Sequence, residues 1–224
     1  MSSREAILTR IREANRAVEE ERAELAALRG DNGAPAVAAW EYGQPTEMPD
    51  VLGRFVERVE DYKAAVVRIP GDAVAGAIGA ALRDHHATSV VAPSGIPGEW
   101  LADVGDLSVH RDNPLLSHAE LDTTSAVITD AAVGIAETGT IVLDHAPGQG
   151  RRALSLVPDL HICLVRADQV VSDVPEAVAR LGDAVRAGRP LTWISGPSAT
   201  SDIELSRVEG VHGPRTLHVI LMDC

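Results

Sequence analysis

The stretch Ala64–Pro93, "AAVVRIPGDAVAGAIGAALRDHHATSVVAP", decides the fold. It opens on a short apolar run, AAVVRI, and closes on another, TSVVAP. Between them, DAVAGAIGAALRDHH reads as a helix rich in small apolar residues. Strand, helix and strand in that order make a βαβ unit, and such units build parallel sheets. The alternation continues outward. VLGRFVERVEDY, just before the stretch, reads as a helix. After it, strands are predicted at SAVITD, TIVLD, HICLVR, LTWIS and TLHVILM, and helices at VPEAVARLGDAVRAG and SDIELSRVEG. The expected class is therefore α/β with a mostly parallel sheet.

Composition agrees with that class and narrows function. Of 224 residues, 45% are hydrophobic but only 3% aromatic, so the core must be built from Ala, Val, Leu and Ile. A net charge of −13, from 20 Lys+Arg against 33 Asp+Glu, argues against nucleic acid, which needs a basic face. Lys63 is the sole lysine, which argues against a Schiff base. Two cysteines, Cys163 and Cys224, are too few for an all-cysteine iron–sulfur cluster or a four-cysteine zinc site. No residue pattern calls for a metal. No apolar run approaches membrane-spanning length and the start lacks a leader pattern, so the cytoplasm is the expected compartment.

Residues 1–30 are expected to form a helical arm. Ser2 and Glu5 have capping-box spacing, and Gly30 is placed to end the helix. Ile7, Ile11, Ala14, Val18, Leu25 and Leu28 form a stripe, which suits either packing on this chain's own domain or a homodimer through the arm. Residues 31–49 have the turn-former density of a linker, and 50–224 make the α/β domain.

In parallel sheets, ligands bind where loops leave the carboxyl ends of strands. Four polar loops qualify: PSGIPGEW, DAAVGIAETGT, DHAPGQGRR and SGPSATSD. In the second, Glu137 precedes Thr138, Gly139 and Thr140 as a lone charge between Asp130 and Asp144, either a structural anchor or a reactive group. In the third, Arg151 and Arg152 follow two glycines, a combination that suits a carboxylate or phosphate as well as an exposed loop. In the fourth, Ser198, Thr200 and Asp202 are helix-capping types, and hydroxyls not used in capping would face an anion. His212 and Arg215 then enter the last strand, where His212 either transfers protons or only serves a Gly-Pro turn. His85 and His86 read as surface. His110 and His118 have no metal-ligand spacing, and His161 and His218 read as satisfied core histidines.

Four motifs together carry a resemblance: GIAETGTIVL, SLVPDLHICLV, ISGPSATSDIEL and GVHGPRTLHVIL, with SSREAILTRIREA at the start. In this order they resemble the LUD-domain family, and within it the lactate utilization protein C group. The resemblance implies a three-layer α/β/α fold like the NagB/RpiA/CoA-transferase group. It also implies a part in oxidising L-lactate to pyruvate beside partner proteins that hold iron–sulfur clusters, with no cofactor in this chain. In the related CoA-transferases a glutamate beside a glycine turn is the nucleophile, and Glu137 occupies a similar context although the transferase signature is absent. The readings at this point are three. The chain is an accessory subunit binding a small carboxylate or phosphate, or an independent enzyme using Glu137 on a CoA thioester or sugar phosphate, or a scaffold.

Overall fold

The structure is a computed structural model that describes residues 4–19 apart from 6, 14 and 17, then 45–200, 208–209 and 213–223. The chain divides into two compact units, Met1–Tyr42 and Gly43–Cys224. In the first, the described positions between 4 and 19 are helical, α1. Ile7, Ile11 and Val18 of the apolar stripe are exposed there, while Ala14, Leu25 and Leu28 lie outside the described residues.

The second unit is tied down near its start. The N–H and the hydroxyl of Thr46 both donate to Asp173 Oδ2, at 2.7 and 2.8 Å. Helix α2 (Val51–Asp61) begins where Asp50 accepts from the Gly53 N–H at 2.8 Å, and it buries Phe55 and Val59 one turn apart. The expected βαβ unit follows as β1 (Ala65–Pro70), α3 (Val74–Asp84) and β2 (Ser89–Ala92). Next come β3 (Ser108–Arg111), α4 (His118–Asp122), β4 (Ala126–Asp130), β5 (Val133–Ile135), β6 (Thr140–Leu143), β7 (Leu160–Arg166) and β8 (Val170–Val171). The chain ends through α5 (Val174–Arg180), α6 (Gly182–Arg186), β9 (Thr192–Ile194), β10 (Ala199–Thr200), β11 (Val208–Glu209) and β12 (Thr216–Asp223).

Six strands form one sheet in the order β1-β12-β7-β4-β2-β3, and every neighbouring pair is parallel. Alternation along the strands sorts the core into two layers. Ile162, Leu164 and Ile220 face α3, where Ile78 and Leu82 meet them. Cys163, Val165, Val219 and Leu221 face the other way, onto Phe55 and Val59 of α2 and onto Ile141 and Leu143 of β6. Helices thus cover both faces of the sheet, as the α/β reading requires.

A second sheet, β8-β5-β6-β9, lies on the α2 side. Its outer residues Val133, Ile135, Val142 and Val171 are capped by Ala177 and Leu181 around α5. Here the structure corrects the expectation of one sheet, because TIVLD and LTWIS belong to the second and pair antiparallel. The reason is chain length: the Ala136–Gly139 turn allows a hairpin, whereas a parallel return needs a crossover of a dozen residues or so. VPEAVARLGDAVRAG is two short helices meeting at Leu181. Within SDIELSRVEG only Val208 and Glu209 are described, and they form β11 against β10 where a helix was expected.

Candidate functional site

The carboxyl ends of β2 and β3 open into a cleft of about 650 Å³. Ser94 and Asn113 from the loops after those strands line it, with His145, Arg151 and Arg152 from the loop after β6. Two of these loops are joined backbone to backbone. The Gly95 N–H donates to the Pro147 carbonyl at 3.0 Å, and a Cβ on Gly95 would stand 2.4 Å from the Gly148 nitrogen. At the end of β4, the Asp130 N–H reaches the Gly148 carbonyl at 3.1 Å. Gln149 braces the loop from within, its Oε1 accepting from the N–H groups of Asp144 at 2.6 Å and His145 at 2.9 Å. His145 itself is held in the left-handed region at φ 56°. Its Nδ1 lies 2.9 Å from the Gly150 carbonyl and its Nε2 lies 2.8 Å from the Thr192 hydroxyl. A carbonyl only accepts, so Nδ1 carries the proton and, in the neutral ring, Nε2 accepts from Thr192.

The two arginines of this loop have different duties. Arg151 grips Asp112 with Nε at 2.7 Å and Nη2 at 3.1 Å, and Nη2 also donates to the Leu116 carbonyl. Burial alone would raise the Asp112 carboxyl, but the hydrogen bonds from Arg151 and the Leu116 N–H, with the guanidinium charge, hold it below its ordinary value. The same hydrogen bond raises Arg151. Arg151 is therefore committed to the wall. Arg152 is exposed on the rim and joined to no carboxylate among the described residues. With Arg151 and Asp112 cancelling, the described lining carries one net positive charge. Below the rim, burial pushes the Asp130 carboxyl up against the opposing Gln149 hydrogen bond. Its Oδ1 is buried and has no partner among the described residues.

A second cleft, about 310 Å³, lies at the amino ends of β7 and β12, where the loop after β9 crosses them. Ser155, Leu156, His161, Trp193, Ser195, Pro214 and Leu217 line much of it. The two clefts share a wall. Thr192 lines the smaller one and bonds His145 of the larger. His161 is buried in the floor, 2.8 Å from Thr129 Oγ1, and burial pushes its imidazole down to about 4. Burial also pushes the Cys163 thiol up to about 12, although it accepts a 3.6 Å hydrogen bond from Thr129.

The sequence profile of the LUD domain matches residues 52–222. The chain belongs to the LUD-domain family. It is 56% identical over 178 residues to lactate utilization protein C of Deinococcus radiodurans, covering 80% of this chain and 82% of that one. Lactate utilization protein C of Geobacillus kaustophilus is 29% identical over 188 residues, 80% of this chain and 71% of that one. The crystal structure of a DUF162 family protein from Deinococcus radiodurans matches with a TM-score of 0.69 and 49% identity, covering 80% of this chain and 99% of that one.

This LUD domain distributes its motif residues over several places. Arg151 and Arg152 meet at the larger cleft, and Ser198 lines the smaller, its N–H donating to the Pro214 carbonyl at 2.8 Å. Glu137 lines neither cleft; it is exposed in the β5–β6 turn, and its N–H donates to the Ser172 carbonyl at 3.0 Å. Gly139 has φ 61°, and a Cβ there would lie 2.6 Å from the Arg58 carbonyl carbon, so its role is to seat the turn against α2. Thr138 donates to Thr140 at 2.8 Å, and Thr140 lies 2.8 Å from the Ser195 hydroxyl. Arg215 pairs with Asp159 at 3.1 Å, both exposed, and lines neither cleft. Thr200 lies in β10, and Asp202 and His212 lie outside the described residues.

The LUD domain also corrects the surface reading of His85. Its Nε2 lies 3.2 Å from Nδ1 of His218, joining the end of α3 to β12. Burial, then the neighbouring imidazole, lowers His218. Among the described residues no three His, Cys, Asp or Glu side chains gather as metal ligands, and no helix is long and apolar enough to cross a membrane. Asp112, Trp193 and Ser195 were not singled out by the sequence.

Proposed function

We propose that this LUD domain serves in lactate utilization as a subunit without a redox centre of its own, beside partner proteins that carry iron–sulfur clusters. The observation that supports the role is 56% identity, across 80% of the chain, with a protein named for lactate utilization. Converting L-lactate to pyruvate releases two electrons and two protons. Two cysteines cannot hold an all-cysteine cluster within the chain, so the electrons leave through a partner in this reading.

The chain's own part is to hold the carboxylate in the larger cleft. Arg152 offers a guanidinium fork that no described carboxylate occupies, on a rim whose other arginine is already matched by Asp112. One unmatched positive charge suits a monoanion such as lactate or pyruvate. His145, with its Nδ1 proton spent on the Gly150 carbonyl, shapes the wall.

Two experiments test the reading. A Deinococcus radiodurans strain lacking its own lactate utilization protein C should regain growth on L-lactate when given this chain, and absence of rescue refutes the role. L-lactate and pyruvate should raise the melting temperature of the full chain, because a ligand that prefers the folded state stabilises it. Arg152→Ala should abolish that rise; an unchanged rise removes Arg152 from the site.

A further inference from the structure

The larger cleft has more room than lactate can use. Its volume is about 650 Å³. Lactate has six non-hydrogen atoms, and even at about 30 Å³ for each, the share of a water molecule in the liquid, it would fill only about 180 Å³. Clefts of this size hold ligands as large as drugs. Building on the carboxylate reading above, we infer that the cleft prefers 2-hydroxy acids whose substituent is larger and more apolar than the methyl group of lactate.

The first support is which lining groups are already spent. Arg151 and Asp112 are bonded to each other. Both ring nitrogens of His145 are taken, one by the Gly150 carbonyl and one by the Thr192 hydroxyl. Ser94, Asn113 and Arg152 remain, and their side chains make no hydrogen bond among the described residues. One guanidinium fork and two neutral groups suit a single carboxylate head with a hydroxyl beside it.

The second support is the rest of the wall. Pro93, Ala146, Pro147, Leu154 and Pro190 line it, and Pro147 and Pro190 lie open to solvent. Polar atoms of a guest set against them would surrender water without gaining a partner. An apolar group gains instead, and each methylene covered strengthens binding about fourfold. Proline has no rotamer freedom to lose when it is covered.

This wall is also held in place. The Pro147 carbonyl accepts from the Gly95 N–H at 3.0 Å. Beside Pro190, Arg189 pairs at 2.9 Å with Asp144, which directly follows β6. Both prolines are thereby tied to the loop that carries Arg152, so head and tail of one ligand meet a single wall.

The test is calorimetric titration of the full chain, at fixed ionic strength, with L-lactate, L-2-hydroxybutyrate and L-2-hydroxyisocaproate. L-malate serves as an acid of comparable length with a charged tail. Affinity should rise along the first three, with hydroxyisocaproate at least about tenfold tighter than lactate, and malate should bind no better than lactate. Arg152→Ala should abolish binding of all of them. Pro190→Ser, at an exposed position and checked by its melting curve, should narrow the gap between lactate and hydroxyisocaproate at least about twofold while leaving lactate as it was. If lactate saturates the cleft but the longer acids bind no tighter, the inference falls and the carboxylate reading stands. If none of the acids binds, the carboxylate reading itself falls. Tighter binding of malate than of hydroxyisocaproate, a preference for longer acids that survives Arg152→Ala, or an unchanged gap in Pro190→Ser also overturns the inference.

Discussion

Replacing His161 by Gln should flatten the acid limb of the protein's stability curve. The imidazole sits in the floor beneath β9, 1% exposed, with a threonine hydroxyl for company and no carboxylate bonded to it among the described residues. Burial disfavours its charged form and lowers it from 6.5 to about 4. The folded value lies below the unfolded one, so between them the unfolded chain binds more protons. Stability is then complete above pH 6.5 and drains away as the pH falls towards 4. Each unit corresponds to about 1.4 kcal/mol, so the whole interval amounts to roughly 3 kcal/mol. Urea unfolding near pH 7.5 and near pH 4.5, followed by circular dichroism, measures the loss in each protein. His218, also lowered by burial, adds to the loss, and Asp130, raised by burial, works in the opposite sense. Both remain in the variant and largely cancel in the difference. The His161→Gln protein should therefore lose about 3 kcal/mol less than the wild type over that interval. Equal losses would mean that His161 is protonated inside the fold, and the account of the floor would fail.

Other expectations concern separate parts of the molecule. Gly139→Ala should destabilise by at least about 2 kcal/mol, read as a lower urea midpoint, since it adds left-handed strain and a clash with the backbone of Arg58. Arg151→Ala should cost about 2 kcal/mol by stranding Asp112, whereas Arg152→Ala should stay within about 0.5 kcal/mol, and a common melting temperature for the two would refute their division of labour. Asp173→Ala should cost about 1–2 kcal/mol by uncapping α5, and faster amide exchange at Thr46 should accompany it. In a Cys224→Ala background, Ellman's reagent should fail to label Cys163 until urea is added, because burial keeps the thiol protonated.

The parallel sheet was legible because its strands are buried on both faces. HICLVR and TLHVILM read as continuous apolar runs and became β7 and β12 at its centre. The second sheet was not legible as such, since β5 and β8 have three and two residues, too few for a periodic signal. Arg151 and Arg152 were found from their position after a glycine-rich turn, but nothing in their adjacency tells which meets Asp112, 39 residues upstream. SGPS reads as a carboxyl-edge loop only if LTWIS is a strand of the parallel sheet. Once that strand moves to the second sheet, its loop crosses the amino ends of β7 and β12 instead. A hydroxyl relay from Thr138 to Ser195 spans 57 residues and has no local signature.

The embrace of Gly95 and the Pro147–Gly148 backbone leaves no room for a side chain between two rim loops. Any residue larger than glycine at position 95 must pry them apart, so that seam is closed to variation. Ser94, Asn113 and Arg152 stand exposed just beyond it and carry little of the packing. In the proposed carboxylate reading, substitutions at those three positions would alter the cleft's polar groups while the scaffold beneath stays the same.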